Sequence, residues 1–451
     1  MSEVLRSVGL DVGTTSTQLV FSELTVENRA SSFAVPELEI ARREIIYKSP
    51  VHFTPLLDES HVDAAALRHL VEEEYRAAGI VRSSVDTGAI IITGETSRKE
   101  NARVVLEALA DLAGDFVVAT AGPDLESVLA AKGAGAVDYS RQTGKTVVHM
   151  DIGGGTSNLA LIRNGKIQQT TCLNVGGRLI KCEENRRITY ISPVLNGISG
   201  LKVGEILEQK DEETVTSILA QALEMAVGLR PVTALLEQLT TKEAASDWQI
   251  PAEAVVVSFS GGVADCIEKE HSRAAFGDIG PSLGRAIRKS RLCRGEYVLG
   301  SETIRATVIG AGCHSTQLSG STVFYRNIPF PLKNLPVVEV FEPSASSIRQ
   351  KLQTQEVPAI LAMPGISAPS YHQVAVLAQQ ILAATADMPI LVCLEQDMAK
   401  ALGQALALRS GPDRQILCID RVKVGEGSFL DIGAPVGPAL PVVVKTLILS
   451  R

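Results

Sequence analysis

The stretch GLDVGTTSTQLVF starts at Gly9, and HMDIGGGTSNLAL follows 140 residues later. Asp11 then aligns with Asp151, Gly13 with Gly153, Ser16 with Thr156 and Leu19 with Leu159, without a gap. An aspartate at a strand end, followed by glycines and hydroxyl residues in a tight turn, suits one chemistry. Glycines accept dihedrals that other residues resist, so successive amides can point together at an anion. Thr14, Thr15, Ser16 and Thr156 add hydroxyl donors, and Gly153, Gly154 and Gly155 leave the second turn bare. The aspartates could hold Mg²⁺, usually through water, with the ion bridging phosphate oxygens. One such turn is a weak signal, equally at home in a plain glycine-rich hairpin. Two turns with matching aspartates argue for a polyphosphate clamped from both sides.

A third stretch, AVVVSFSGGVADCIEK, places a strand before Gly261 and Gly262 and a helix after them. Paired glycines there would let a flat ring or a ribose approach the backbone, and downstream of the second turn they read as an adenosine pocket. Gly144-Lys145-Thr146 imitates the end of a P-loop. The first glycine of that motif would fall on Tyr139, and the segment precedes a strand instead of opening a helix, so it is rejected.

The elements that must position these turns alternate. Strands are expected at 7–11, 16–24 and 40–47, then a helix opening at a Ser60–Asp63 capping box and closing at Gly79. A strand at 89–92, a helix from a Ser97–Glu100 capping box to near Gly114, a strand at 116–120 and a helix over 124–137 follow. Three strands at 146–150, 157–162 and 166–173, a helix at 212–229 and a strand at 254–259 restart the order. The duplicated phrase is therefore expected to mark duplicated α/β domains, 1–145 and 146–318, each a mixed sheet covered on both faces. A third α/β region, 319–451, opens with a proline-interrupted connector at 324–343 and carries no phosphate turn.

The totals bound the function. Length gives about three domains, and 45% hydrophobic residues give ample core. A net charge of −8 and an aromatic share of 4% argue against a nucleic-acid grip. Seven irregularly spaced cysteines suit reduced thiols, and no CxxC or HExxH spacing points to zinc. His61 and His69 share a helix and read as ordinary solvated side chains. With no signal-like N-terminus and no apolar run of about 20 residues, a soluble, cytoplasmic protein without membrane contact is expected.

Taken together, DVGTTSTQLVF, DIGGGTSNLAL and VVVSFSGGVAD resemble the phosphate 1, phosphate 2 and adenosine motifs of the actin, sugar-kinase and Hsp70 ATPase superfamily. The helix after Pro123 (DLESVLAAKGAGA) and VIGAGCHSTQ at 308–317 resemble its two connecting helices, where small residues would allow close crossing and pivoting. IITGETSRKENA and TAGPDLESVLAAKGAGA resemble one branch more closely, the ethanolamine utilization protein A family of ethanolamine ammonia-lyase reactivating factors. The resemblance implies an ATP-dependent, chaperone-like factor that exchanges damaged cobalamin for adenosylcobalamin in the lyase, in the cytoplasm or in association with a bacterial microcompartment.

The resemblance also implies roles. Asp11, Thr14, Thr15 and Ser16, with Gly13, would form the first clamp, and Gly153, Gly154, Gly155 and Thr156 the second. Asp11 and Asp151 would hold the Mg²⁺ shell, and Gly261 and Gly262 would line the adenosine site. Hsp70-type members place a glutamate before the proline of the first connecting helix to position water, whereas this chain has Gly122. Glu126 and Glu95 are the candidate replacements, against a reading of both as surface or capping carboxylates, and slow hydrolysis is expected. A small-molecule kinase of the same fold lacks a recognisable acceptor-site acid here, and an actin-like polymer ranks below it. The sequence leaves homo-oligomerisation and the need for a small second subunit open.

Overall fold

The computed structural model describes residues 3–446 except 14–15, 29–37, 59–60, 94–104, 106–108, 110–117, 121–122, 243–247, 250, 252–254, 301, 315, 320–321, 354–357, 387, 423, 425–427 and 436–438. Strands β1 (Glu3–Val12), β2 (Ser16–Asn28), β3 (Leu38–Lys48), β4 (His52–Phe53), β5 (Thr87–Ile92) and β6 (Val118–Thr120) form the first sheet, in the order β3-β2-β1-β5-β6 with β4 beside β2. Strands β7 (Val147–Ile152), β8 (Ser157–Arg163), β9 (Lys166–Leu173), β12 (Val256–Ser260) and β13 (Tyr297–Leu299) form the second, in the order β13-β12-β7-β8-β9. Between β9 and β12 a small ribbon pairs β10 (Ile180–Cys182) with β11 (Ile188–Ile191).

The two sheets are copies. In each, an antiparallel hairpin comes first and parallel strands extend it on the far side. The register repeats to the residue: Asp11 lies opposite Gln18 and Asp151 opposite Asn158, again 140 apart. This is the duplicated actin-like arrangement, with both aspartates at the C-terminal ends of inner strands.

Period-two alternation explains how β1 is covered. Val8, Leu10 and Val12 pack with Leu67, Val71 and Tyr75 of the helix Ala64–Ala78. Ser7 and Gly9 face the opposite way, onto the helix Ala306–His314. A Cβ on Gly9 would stand 2.4 Å from the Val308 carbonyl oxygen, so only glycine admits that helix. The helix Ala64–Ala78 begins where the Asp63 side chain accepts from the Ala66 amide, one turn past Ser60, which lies outside the described residues. Gly79, at φ 67°, closes it.

Two corrections apply. The expected helix over 124–137 is two helices, Pro123–Gly133 and Ala136–Thr143, because Gly135 takes φ 80° between them. The expected connector at 324–343 instead contains β15 (Phe324–Arg326) and β16 (Leu332–Glu339). Pro336 is tolerated in β16 beside a register shift between Leu332 and Leu335, where the ladder is already irregular.

The third sheet adds β14 (Thr316–Leu318), β17 (Ile360–Met363), β18 (Ile390–Leu394), β19 (Ile416–Asp420), β20 (Ser428–Ile432) and β21 (Pro441–Thr446). Its order is β14-β21-β20-β16-β17-β18-β19-β15, with β16 to β19 parallel. Helices Ala345–Leu352, Tyr371–Thr385 and Ala399–Arg409 supply its apolar cover.

Candidate functional site

The two turns are closed by the same hydrogen bond. The Gly13 amide donates to the Ser16 carbonyl at 2.9 Å, and the Gly153 amide donates to the Thr156 carbonyl at 2.9 Å. The first is braced by Thr54, whose hydroxyl donates to the Gly13 carbonyl at 2.8 Å. The second is braced by the Gly177 and Arg178 amides, which donate to the Gly153 and Gly154 carbonyls at 3.0 and 2.6 Å. Gly154 and Gly155 are exposed, and a Cβ on Gly155 would meet nothing within 4 Å. Packing therefore does not require a glycine at 155; open space in front of the turn does accommodate a ligand there. Thr14 and Thr15 lie outside the described residues.

Three carboxylates converge on these turns. Asp11 accepts from the Thr93 hydroxyl at 2.9 Å. Burial pushes its carboxyl up to about 7, with the Asp151 charge adding and Thr93 opposing. Asp151 is buried and accepts from Ser260 at 2.5 Å and Thr307 at 3.5 Å. Burial pushes it up to about 6 against those two hydroxyls. Glu126, on the first connecting helix, is pushed well above the usual carboxylate range by burial, then by the charges of Asp11 and Asp151. Its hydrogen bond with the Asn158 side chain opposes this. The structure thus brings Glu126 to both aspartates. Glu95 and Gly122 lie outside the described residues.

Like charges gathered in a low dielectric raise one another's pKa, and a bound cation inverts that logic. Among the described residues no three His, Cys, Asp or Glu side chains close on one metal position. An ion offered only Asp11 and Asp151 would fill the rest of its shell with water and phosphate. That fits Mg²⁺, which dehydrates reluctantly and is usually held by one or two carboxylates and a phosphate.

The glycine pair at the third motif divides its work. Gly261 sits at φ 88°, and a Cβ there would be 2.3 Å from the Ile152 carbonyl oxygen. Its missing side chain is thus already needed by the end of β7. Gly262 has only Ile304 at 4.0 Å and faces open space.

Several residues had escaped the sequence reading. Gln18 and Asn158 stand opposite the two aspartates, and their shared 140-residue offset was a usable signal. Thr93 just past β5, Ser260 on β12 and Thr307 on the helix Ala306–His314 arrive with no spacing to announce them. Arg178 lies over Gly154 with its Cδ 3.3 Å from a Cβ built there, and its Nε is 3.4 Å from Asp278. His149 is fully buried, with Nδ1 3.1 Å from Ser258 Oγ and Nε2 2.9 Å from Ser260 Oγ. Burial pushes it down to about 3, so it is neutral. Ser260 spends its one proton on Asp151, so His149 donates from Nε2 to Ser260 and accepts at Nδ1 from Ser258.

The model of the family described as ethanolamine utilisation protein EutA matches residues 3–450 of this chain. The chain belongs to the EutA family. Relatives named ethanolamine ammonia-lyase reactivase EutA from Salmonella typhimurium and Escherichia coli are each 38% identical, over 98% of this chain and 98% of theirs. The crystal structure of an Aquifex aeolicus Ppx/GppA family member is similar over 68% of this chain and 97% of its own, with a TM-score of 0.42 and 14% identity. For the EutA-family chain the twin turns, their aspartates and Glu126 form one candidate site. Among the described residues no helix is long and apolar enough to cross a membrane.

Proposed function

We propose that this EutA-family protein binds Mg-ATP between the twin turns, hydrolyses it slowly, and couples the nucleotide state to reactivation of an ethanolamine ammonia-lyase. Reactivation consists of exchanging damaged cobalamin for adenosylcobalamin on the lyase. The observation that carries the nucleotide reading is that buried Asp11, Asp151 and Glu126 feel one another's charge beside two turns closed by the same hydrogen bond. The partner comes from the relatives' shared name.

The chain's own residues define the steps. Amides and hydroxyls at 13–16 and 153–156 receive the phosphates from two sides, as oriented donors that need no reorganisation. Asp11 and Asp151 would hold the hydrated cation, and Mg²⁺ would offset phosphate charge when bound. Glu126, anchored to Asn158, orients a water toward the terminal phosphate. Catalysis of phosphoryl transfer is mostly positioning and charge neutralisation, and a glutamate one turn from the usual place gives a modest rate. Gly262 leaves room for the adenosine.

Two lobes, 1–145 and 146–318, would then open and close about the connecting helices, with 319–451 meeting the partner. Those helices touch through glycine: a Cβ on Gly133 would be 1.8 Å from the Ala306 carbonyl oxygen, and one on Gly310 would be 2.1 Å from that of Leu129. Differential affinity of ATP and ADP for the open and closed forms supplies the drive. The test is to inactivate ethanolamine ammonia-lyase with cyanocobalamin and add this protein, ATP, Mg²⁺ and adenosylcobalamin. Ammonia release should recover only with ATP present; no recovery would remove the reactivase reading.

A further inference from the structure

The helices Gln209–Ala226 and Gly280–Lys289 run side by side in the same direction. The Ser282 hydroxyl donates to Glu212 at their N-terminal ends, and the Arg291 amide donates to Glu224 at their C-terminal ends. Between them lies a cavity of about 430 Å³. It shares no residue with the twin turns or the glycine pair. Five cations line it, Arg230, Arg285, Lys289, Arg291 and Arg294, against two carboxylates, Glu213 and Glu224. Five against two leaves an excess of three positive charges in one concavity, on a chain whose net charge is −8.

Three of these cations are held in place by the fold. Arg285 donates to the His271 carbonyl at 3.1 Å and to Ser282 at 2.7 Å. Arg291 donates to the Leu229 carbonyl at 2.8 Å, and Arg230 donates to Glu224 at 2.8 Å. Glu224 is itself buried, with both oxygens occupied by Arg230 and the Arg291 amide, so it is not free to neutralise the others. Lys289 and Arg294 stand exposed at the rim, and their side chains make no hydrogen bond or ion pair with a described residue. Helix C-termini favour cations in the last turn, which accounts for Lys289 but not for Arg230, Arg285 or Arg294. Guanidiniums already fixed lose little further freedom on meeting an anion.

We infer that this groove is a binding site for a small, multiply charged phosphate-bearing ligand, separate from the nucleotide turns. The volume lies within the range of small-molecule sites, about 300–1,000 Å³. The donors, planar forks and one ammonium, match phosphate oxygens. The site does not depend on the nucleotide reading.

The test is calorimetric titration of inorganic pyrophosphate into the full chain, with and without excess ADP, for the parent and for K289E/R294E. Both substitutions lie at the rim, where the fold does not use the side chains. Expected is one site that persists under ADP, weakens with salt, and loses at least ~10-fold in affinity in the variant, as removal of charge-assisted bonds predicts. Binding abolished by ADP would place the anion on the twin turns and overturn the assignment. So would binding that the variant leaves unchanged, or no binding at all. A hexaglutamate peptide bound more tightly than pyrophosphate, with the same dependence on K289E/R294E, would also overturn it, in favour of an acidic protein segment.

Discussion

At the scale of single residues, the site is a set of carboxylates held in an environment that resists their charge. Asp11, pushed up to about 7, and Asp151, pushed up to about 6, both titrate above an unfolded aspartate. Each contributes stability that is complete below the unfolded value near 4 and is lost as pH rises through 6 to 7. The metal-free protein should therefore melt at a lower temperature at pH 8 than at pH 5. Asp11→Asn should raise the midpoint at pH 8 and leave it unchanged at pH 3, below the unfolded pKa, by differential scanning calorimetry. Mg-nucleotide affinity should rise over the same window, because the ion needs the carboxylates deprotonated. Ser260→Ala removes a hydroxyl that lowers the Asp151 pKa, so the acid limb of Mg-dependent ATP hydrolysis should move to higher pH, and Ser260→Thr should restore it. A limb unmoved in Ser260→Ala would mean that Asp151 does not govern that profile. Either aspartate changed to Asn should lower hydrolysis by about 10²-fold or more, the scale of losing one preorganised electrostatic contact.

At the scale of elements, the glycines separate into those the fold needs and those a ligand needs. Gly133 and Gly310 sit where the connecting helices cross backbone to backbone, so Gly310→Ala should destabilise by at least ~1–3 kcal/mol through overpacking. Gly155→Ala meets nothing, so its unfolding midpoint in urea should match the parent's while its Mg-ADP affinity falls. Equal nucleotide affinity in Gly155→Ala would show that the second turn does not approach the phosphates. The duplicated hairpins were legible in the sequence because a phrase repeated at a fixed offset carries both register and chemistry, down to Gln18 and Asn158. Strand β16 was not, because Pro336 and the Leu332–Leu335 irregularity imitate a linker. The break after Gly133 was hidden in a run of small residues that suits a helix until Gly135 turns left-handed. Ser260 and Thr307 reach Asp151 only through tertiary packing, from 109 and 156 residues away, and no local pattern encodes that.

At the scale of the whole molecule, two copies of one sheet follow each other in the chain, and a third sheet follows the helix Ala306–His314 directly. Strand β14 pairs with β21, so the last described strand is tied back to the segment that follows the helix Ala306–His314. All seven cysteines are buried and none is joined in a disulfide. The native protein should thus react slowly with Ellman's reagent and yield seven thiols in denaturant; rapid native reaction would indicate that the sheets open readily. The most direct measurement is a double-mutant cycle of Mg-ADP affinity over Asp11→Asn and Asp151→Asn. If both aspartates serve one ion between the lobes, each single variant binds weakly and the double variant is no weaker than the worse of them, a coupling well above the ~0.5 kcal/mol seen for independent sites. Losses that simply add, or a double variant that still binds Mg-ADP like the parent, would contradict a single nucleotide held by both turns.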